Sequence, residues 1–146
     1  MIRSLDGRHV RQLTFDPVDH EDPAWSPDGT QIAFVYLSAD TERIAVIPVA
    51  GGRTELISPV GERAIHPNWS PDGRFLAFAS NRDGDYQIYV MDTDGTNAQR
   101  VAATTGRATA PKWSTDGRTL YCPICRRAGD GFDCEIFAAA APARSR

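Results

Sequence analysis

Apolar, β-prone residues fall in short runs rather than at helical spacing: Ile32-Ala33-Phe34-Val35-Tyr36, Ile44-Ala45-Val46-Ile47, Phe75-Leu76-Ala77-Phe78-Ala79, Ile88-Tyr89-Val90-Met91, Leu120-Tyr121-Cys122 and Ile136-Phe137-Ala138. Runs this short, bounded by polar and glycine-bearing segments, read as strands. No stretch sustains a helical period, and the 10 prolines and 12 glycines of the chain punctuate it at the turns. The pattern predicts an all-β fold.

The runs repeat. Pro23-Ala24-Trp25-Ser26-Pro27-Asp28-Gly29, Pro67-Asn68-Trp69-Ser70-Pro71-Asp72-Gly73 and Pro111-Lys112-Trp113-Ser114-Thr115-Asp116-Gly117 align, and the three tryptophans of the chain are 44 residues apart (69 − 25 and 113 − 69). In each unit a first strand ends at the Trp. The Ser-Pro-Asp-Gly after it is tight-turn chemistry, with Pro pre-setting φ, Asp tolerating the next position and Gly closing the turn. Second and third strands follow in the apolar runs. A further turn, Ala50-Gly51-Gly52 or Thr93-Asp94-Gly95-Thr96, leads to a fourth strand, Glu55-Leu56-Ile57 or Gln99-Arg100-Val101. Four antiparallel strands in each period of about 44 residues is the size of a β-propeller blade.

The same residues carry a family resemblance. Pro-x-Trp-Ser-Pro-Asp-Gly-x-x-Ile-Ala-Phe, then Asn-Arg-Asp-Gly and Gln-Ile-Tyr-Val-Met-Asp-x-Asp-Gly, resembles the propeller repeat of TolB-like proteins, the PD40 type of WD40-like repeat, and the second unit matches it almost position by position. The first unit departs after Phe34, and the third has Thr115 in place of Pro and an insertion. The reading is a single partial propeller over 1–146: 1–22 a spare fourth strand and loop, 23–58 blade 1, 67–102 blade 2, 111–140 an incomplete blade 3, and 141–146 a tail. Trp25, Trp69 and Trp113 are expected to pack blade on blade. Asp28-Gly29, Asp72-Gly73 and Asp116-Gly117 are expected to be structural turn residues.

Propellers close with roughly 4 to 8 blades, whereas 146 residues supply about three units of 44. By register, Val10-Arg11-Gln12-Leu13-Thr14 matches a fourth strand, and the last unit stops after its third. Two expectations follow. Either two copies pair about a two-fold axis into the six-bladed ring that the resemblance implies, exchanging the N-terminal strand, or the chain is a piece of a longer propeller.

Charge narrows the partners. With 16 Lys+Arg against 19 Asp+Glu, a formal net charge of -3 argues against a nucleic-acid binder. No apolar run approaches the ~18 to 20 residues that span a bilayer. Met1 to Gly7 lacks an apolar export core, so the chain as written reads as cytoplasmic, or as periplasmic or extracellular if it is part of an exported TolB-like protein.

Residues that break the repeat are the functional candidates. In a propeller the first strand lines the channel, so Asp19-His20-Glu21-Asp22, Arg63-Ala64-Ile65-His66 and Arg107-Ala108-Thr109-Ala110 are expected as loops at its mouth. His20, Asp22 and His66, with Arg82 and Asp83 of the Asn-Arg-Asp-Gly turn, form the expected binding set, Asp22 and His66 being equivalent by the period. Imidazoles and carboxylates are also what a divalent metal or an anion would need, but solvated loop side chains are the plainer reading, and no metal or cofactor is assigned. Asp92-x-Asp94-Gly95-x-Asn97 fails the calcium-loop pattern. Cys122-Pro123-Ile124-Cys125 with Cys134 lacks a fourth zinc ligand. Cys122 aligns with Phe34 and Phe78 as a buried position, and Cys125 with Cys134 would staple a hairpin if the protein is exported.

No Gly-x-Ser-x-Gly elbow or Gly-rich phosphate loop occurs. The expected function is a non-enzymatic module binding a protein or peptide. The alternatives are the gating propeller of a prolyl-oligopeptidase-like peptidase, or a metal-dependent polysaccharide lyase-like propeller.

Overall fold

The computed structural model describes residues 2–3, 10–39, 41–101 and 104–142. Every regular element among them is a strand. Blade 1 is the antiparallel sheet β3 (Asp19–Trp25), β4 (Gln31–Ser38), β5 (Thr41–Pro48) and β6 (Glu55–Leu56), in that order. Blade 2 repeats it with β7 (Ala64–Trp69), β8 (Phe75–Ser80), β9 (Gln87–Asp92) and β10 (Gln99–Arg100). In blade 3 the first strand is broken into β11 (Arg107–Ala108) and β12 (Lys112–Trp113), both on β13 (Thr119–Ala128), which pairs on its other side with β14 (Gly131–Ala140). The described residues hold no fourth strand for this sheet. At the N-terminus β1 (Ile2–Arg3) pairs with β2 (Val10–Arg11).

The expected loops before Pro23 and Pro67 are instead strand. β3 and β7 run through them, and each register slips, between Glu21 and Ala24 and between Ile65 and Asn68. A proline cannot donate to a ladder, and a bulge is where a strand tolerates one. The four-residue insertion of the third unit lengthens one hairpin, so that β13 and β14 reach 10 residues each and bring Cys125 opposite Cys134, where the two are joined by a disulfide. Cys122 is half-buried, and burial pushes its thiol pKa up.

Alternation along each strand sends one set of apolar residues to the preceding blade and the other to the next. Ala33, Val35, Ile44 and Val46 of blade 1 pack on Leu76, Phe78, Tyr89 and Met91 of blade 2. Blade 2 in turn presents Ala77, Ala79, Ile88 and Val90 to blade 3, where Leu120 and Ile124 meet them. Fully burying one such aliphatic side chain contributes about 1.5–3 kcal/mol. The end of each fourth strand wedges between blades: Ile57 packs on the first junction and Val101 on the second. Leu13 is their equivalent, one period before Ile57 and two before Val101, and it covers Ile32, Phe34, Ala45 and Ile47 on the outer face of blade 1.

The tryptophans behave as blade-to-blade residues where the described residues supply the preceding blade. Trp69 Nε1 donates to Ala24 O and Trp113 Nε1 to Asn68 O, both at 3.1 Å. Trp69 is 7% exposed, but Trp25 is 52% exposed. That corrects the expectation for Trp25, whose register is right but whose packing partner would lie on a blade before blade 1.

Candidate functional site

The Ser-x-Asp-Gly turns spend their polar groups on themselves. Gly29, Gly73 and Gly117 donate backbone N–H groups to the carbonyls of Ser26, Ser70 and Ser114 at 2.9 to 3.0 Å. Each serine hydroxyl donates to the turn aspartate (Asp28, Asp72, Asp116) at 2.6 to 2.7 Å. That hydroxyl also accepts the N–H of Gln31, Phe75 or Thr119. The serine hydrogen bond, then the following backbone N–H, hold the Asp28 and Asp116 carboxyls below their ordinary pKa. These serines and aspartates are turn-closing groups, and Thr115 replaces proline without disturbing the third turn.

The bulges of the first strands do something different. Asp22, His66 and Ala110, one per blade and 44 residues apart, all have positive φ (51°, 55° and 46°). A non-glycine residue in this region is strained and turns its side chain out of the regular alternation. The consequence is that Asp22 and His66, on adjacent blades, meet: His66 Nε2 lies 3.5 Å from Asp22 Oδ2. His66 Nδ1 is buried and finds no hydrogen-bond partner among the described residues. Blade 3 places Ala110 at this position, so the polar pair belongs to blades 1 and 2 alone.

The other expected residues are placed elsewhere. His20 turns toward the open face of blade 1, its Nε2 3.1 Å from Asp16 Oδ1 and its ring edge-on to Phe34 and Tyr36. Arg82 is clamped by Glu62 at 2.9 Å and lies over the ring of Tyr89, 4.3 Å from its centroid. Tyr89 donates its hydroxyl to Asp83, which Arg100 also approaches at 3.8 Å, and burial followed by that hydrogen bond pushes the phenol up to about 12. No ion pair or hydrogen bond among the described residues joins Asp22 or His66 to Arg82 or Asp83. The structure therefore brings the five candidates together as one pair, Asp22 with His66, one tyrosine-centred network around Arg82 and Asp83, and an isolated His20.

A further contact between blades was not anticipated. Tyr86 donates to Glu42 Oε2 at 2.9 Å, Arg63 lies 3.7 Å from Glu42 Oε1, and Arg107 of blade 3 sits over the Tyr86 ring at 4.8 Å. Burial first, then Glu42, raises the Tyr86 pKa. Glu42 and Tyr86 are themselves 44 residues apart, so the period held the signal: equivalent residues of successive blades are neighbours in space. No group of three or more His, Cys, Asp or Glu side chains lies close enough to hold a metal ion among the described residues. Nor is any helix long and apolar enough there to cross a membrane.

Solved structures share this architecture. TolB from Acinetobacter baumannii superposes with a TM-score of 0.74 at 20% identity, over 94% of this chain and 36% of that one. A structure from Agrobacterium tumefaciens assigned to TolB gives 0.69 at 22% identity, over 85% of this chain and 51% of the other. A puromycin-hydrolyzing peptidase from Mycobacterium tuberculosis gives 0.70 at 20% identity, over 91% and 24%. The chain thus spans about half the length of one TolB structure and about a third of the other. No curated protein matches the chain by sequence. Residues 1–131 match the TolB beta propeller domain family, and the chain belongs to it.

Proposed function

We propose that the chain is a propeller module that binds a protein or peptide segment and performs no chemistry of its own. The observation that carries this reading is the contrast between two kinds of polar residue. Those that repeat in every blade close their own turns, whereas Asp22 and His66 are held by bulges in strained backbone, facing each other, with an imidazole nitrogen left over. Strain of this sort concentrates where a side chain must be aimed. Arg82 and Asp83, held by Glu62 and Tyr89, form a second, separate contact region in this reading. His20 packs instead on Phe34 and Tyr36, with its Nε2 3.1 Å from Asp16 Oδ1.

The test is a selection from a displayed random peptide library, followed by affinity measurement on one selected peptide. His66→Ala and Asp22→Ala are each expected to weaken binding about tenfold, equivalent to about 1.4 kcal/mol, and Asp130→Ala at the hairpin tip is expected to leave it unchanged. Peptides indifferent to every one of the five candidate residues would refute the assignment.

The likeness to peptidase propellers supports a second reading, in which the chain gates a catalytic domain carried elsewhere; a hydrolase that binds this chain and changes its substrate size limit would favour it. A lyase-like metal site predicts stoichiometric metal after gentle purification. The Cys125–Cys134 bond supports an oxidising compartment, periplasmic or extracellular, since such bonds are reduced in most cytoplasms. Thiol titration of freshly isolated protein checks this: one reactive thiol, Cys122, is expected, and three would place the chain in the cytoplasm.

A further inference from the structure

The two ends of the arc are the two halves of one blade junction. Three positions in identical register make this visible. Ile44, Ile88 and Ile136 pair with Val35, Ala79 and Pro123 at equivalent places in their hairpins, yet they are 0%, 5% and 74% exposed. Ile44 and Ile88 are covered by the next blade, and Ile136 faces outward beside exposed Tyr121. At the other end, Trp25 is in the register of the two indoles that donate across a junction, and it finds no acceptor among the described residues. The acceptors used by Trp69 and Trp113 are Ala24 O and Asn68 O, and the next carbonyl in that series is Lys112 O.

The backbone tells the same story. Ile57 N–H donates to Ile44 O and Val101 N–H to Ile88 O, each at 2.9 Å, which fastens every fourth strand to the third strand of its own blade. The residue in that register at the N-terminus is Leu13, and the next carbonyl is Ile136 O. The fourth strands pair Glu55 with Val46 and Gln99 with Val90, so the corresponding pair is Arg11 with Ala138, both exposed.

We infer that a second copy of this chain occupies both ends. Val10–Thr14 of one copy adds to β14 of the other as a fourth strand, which the described residues of its own blade 3 do not supply, with the Leu13 N–H on the Ile136 carbonyl and the Trp25 indole on the Lys112 carbonyl. Ile136 and Tyr121 then lie against the side of the other copy's blade 1 that Leu13 lines. Two-fold symmetry makes the same junction twice and leaves neither end exposed, the arrangement that closed oligomers favour. A second copy is preferred to an unrelated partner because both halves of the junction, donor and acceptor, are already present in the one sequence and in matching register. The inference rests on the fold and is independent of the binding reading.

Light scattering over a dilution series, on the 146-residue chain, is expected to give 2 × 16.0 kDa, about 32 kDa. Ile136→Arg alters a side chain exposed in the single chain, so it is expected to reduce the mass to that of a folded monomer with an unchanged β-sheet circular dichroism spectrum. Arg11→Cys with Ala138→Cys is expected to form a covalent dimer under oxidising conditions, and neither single variant is. A natively folded monomer at every concentration, or a double-cysteine variant that closes within one chain, would overturn the proposal and assign the ends to further blades of a longer chain. If Ile136→Arg does not fold, the cysteine pair decides alone.

Discussion

Blades 2 and 3 carry the same hairpin, with a tryptophan, a Ser-x-Asp-Gly turn and two apolar strands, but they differ in what lies beside them. β8 and β9 are buried over nearly their whole length, while β14 is exposed over most of its own. Local sequence does not account for this, since Ile88 and Ile136 occupy one register. In a repeat protein the neighbour confers burial, so the fold of each unit and its stability are written in different places.

The most direct way to break the comparison is to empty the junction between blades 1 and 2. Phe78 is fully buried between blades 1 and 2, and Phe132 lies exposed in the hairpin extension of blade 3. Phe78→Ala is expected to cost about 3–5 kcal/mol, and Phe132→Ala no more than about 0.5 kcal/mol. Denaturant unfolding measures both, and equal losses would show that the junction is not where stability resides. Gly95 comes next. Its φ is +88°, and a Cβ there would fall on the Ile57 carbonyl of the neighbouring blade. Gly95→Ala is therefore expected to destabilise by at least about 1–3 kcal/mol, the range for left-handed strain alone. At Gly51, where φ is +95° and a Cβ meets nothing, only the strain is expected.

Trp69→Phe keeps an aromatic ring but strands Ala24 O, a loss of about 1–3 kcal/mol. Trp113→Phe removes the equivalent bond to Asn68 O in a blade whose far face is open, and it is expected to cost less. A larger loss at Trp113 would mean that the outer blade is better supported than its exposure suggests.

The all-β class, the three units and the turn chemistry were legible in the sequence because each depends on a few consecutive residues: a Pro-Asp-Gly triplet bends the chain wherever it stands. The site was legible only in part. Asp22 and His66 were chosen because they interrupt the repeat, but the bulge that turns them toward each other is a two-strand property, arising from a slip against β4 and β8. Arg82 and Asp83 were read as turn residues of the binding set, and their ties to Tyr89 and Glu62 depend on side-chain reach that the sequence does not show. The Glu42–Tyr86 bond could have been anticipated from the period itself. Stacking equal units places residue i beside its counterpart 44 positions on, as it does for Asp22 and His66.

The smallest effect concerns the turns that all blades share, and it asks whether likeness of sequence there means likeness of behaviour. In the folded chain Asp28 and Asp116 have lowered pKa values because the carboxylate accepts the serine hydroxyl first and the following N–H next. A group depressed in this way holds more protons in the unfolded chain, where its pKa is about 3.9. Its stabilisation is therefore present above that value and lost as pH falls through the lower folded one. Both side chains are exposed to solvent, which keeps the effect modest. Thermal unfolding from about pH 6 to about pH 3 should show a shallower acid-induced fall in Tm for the Asp28→Asn, Asp116→Asn double variant than for the parent chain. Both turns share the serine hydroxyl and backbone N–H bonds, and Asp28 also accepts the Thr30 hydroxyl at 2.9 Å where blade 3 has Arg118, so both single variants should contribute, Asp28→Asn the more, even though their blades differ in burial. A share confined to one of them would mean that the neighbouring blade governs the turn chemistry as well as the packing, and parallel acid profiles for variant and parent would remove these carboxylates from the acid response.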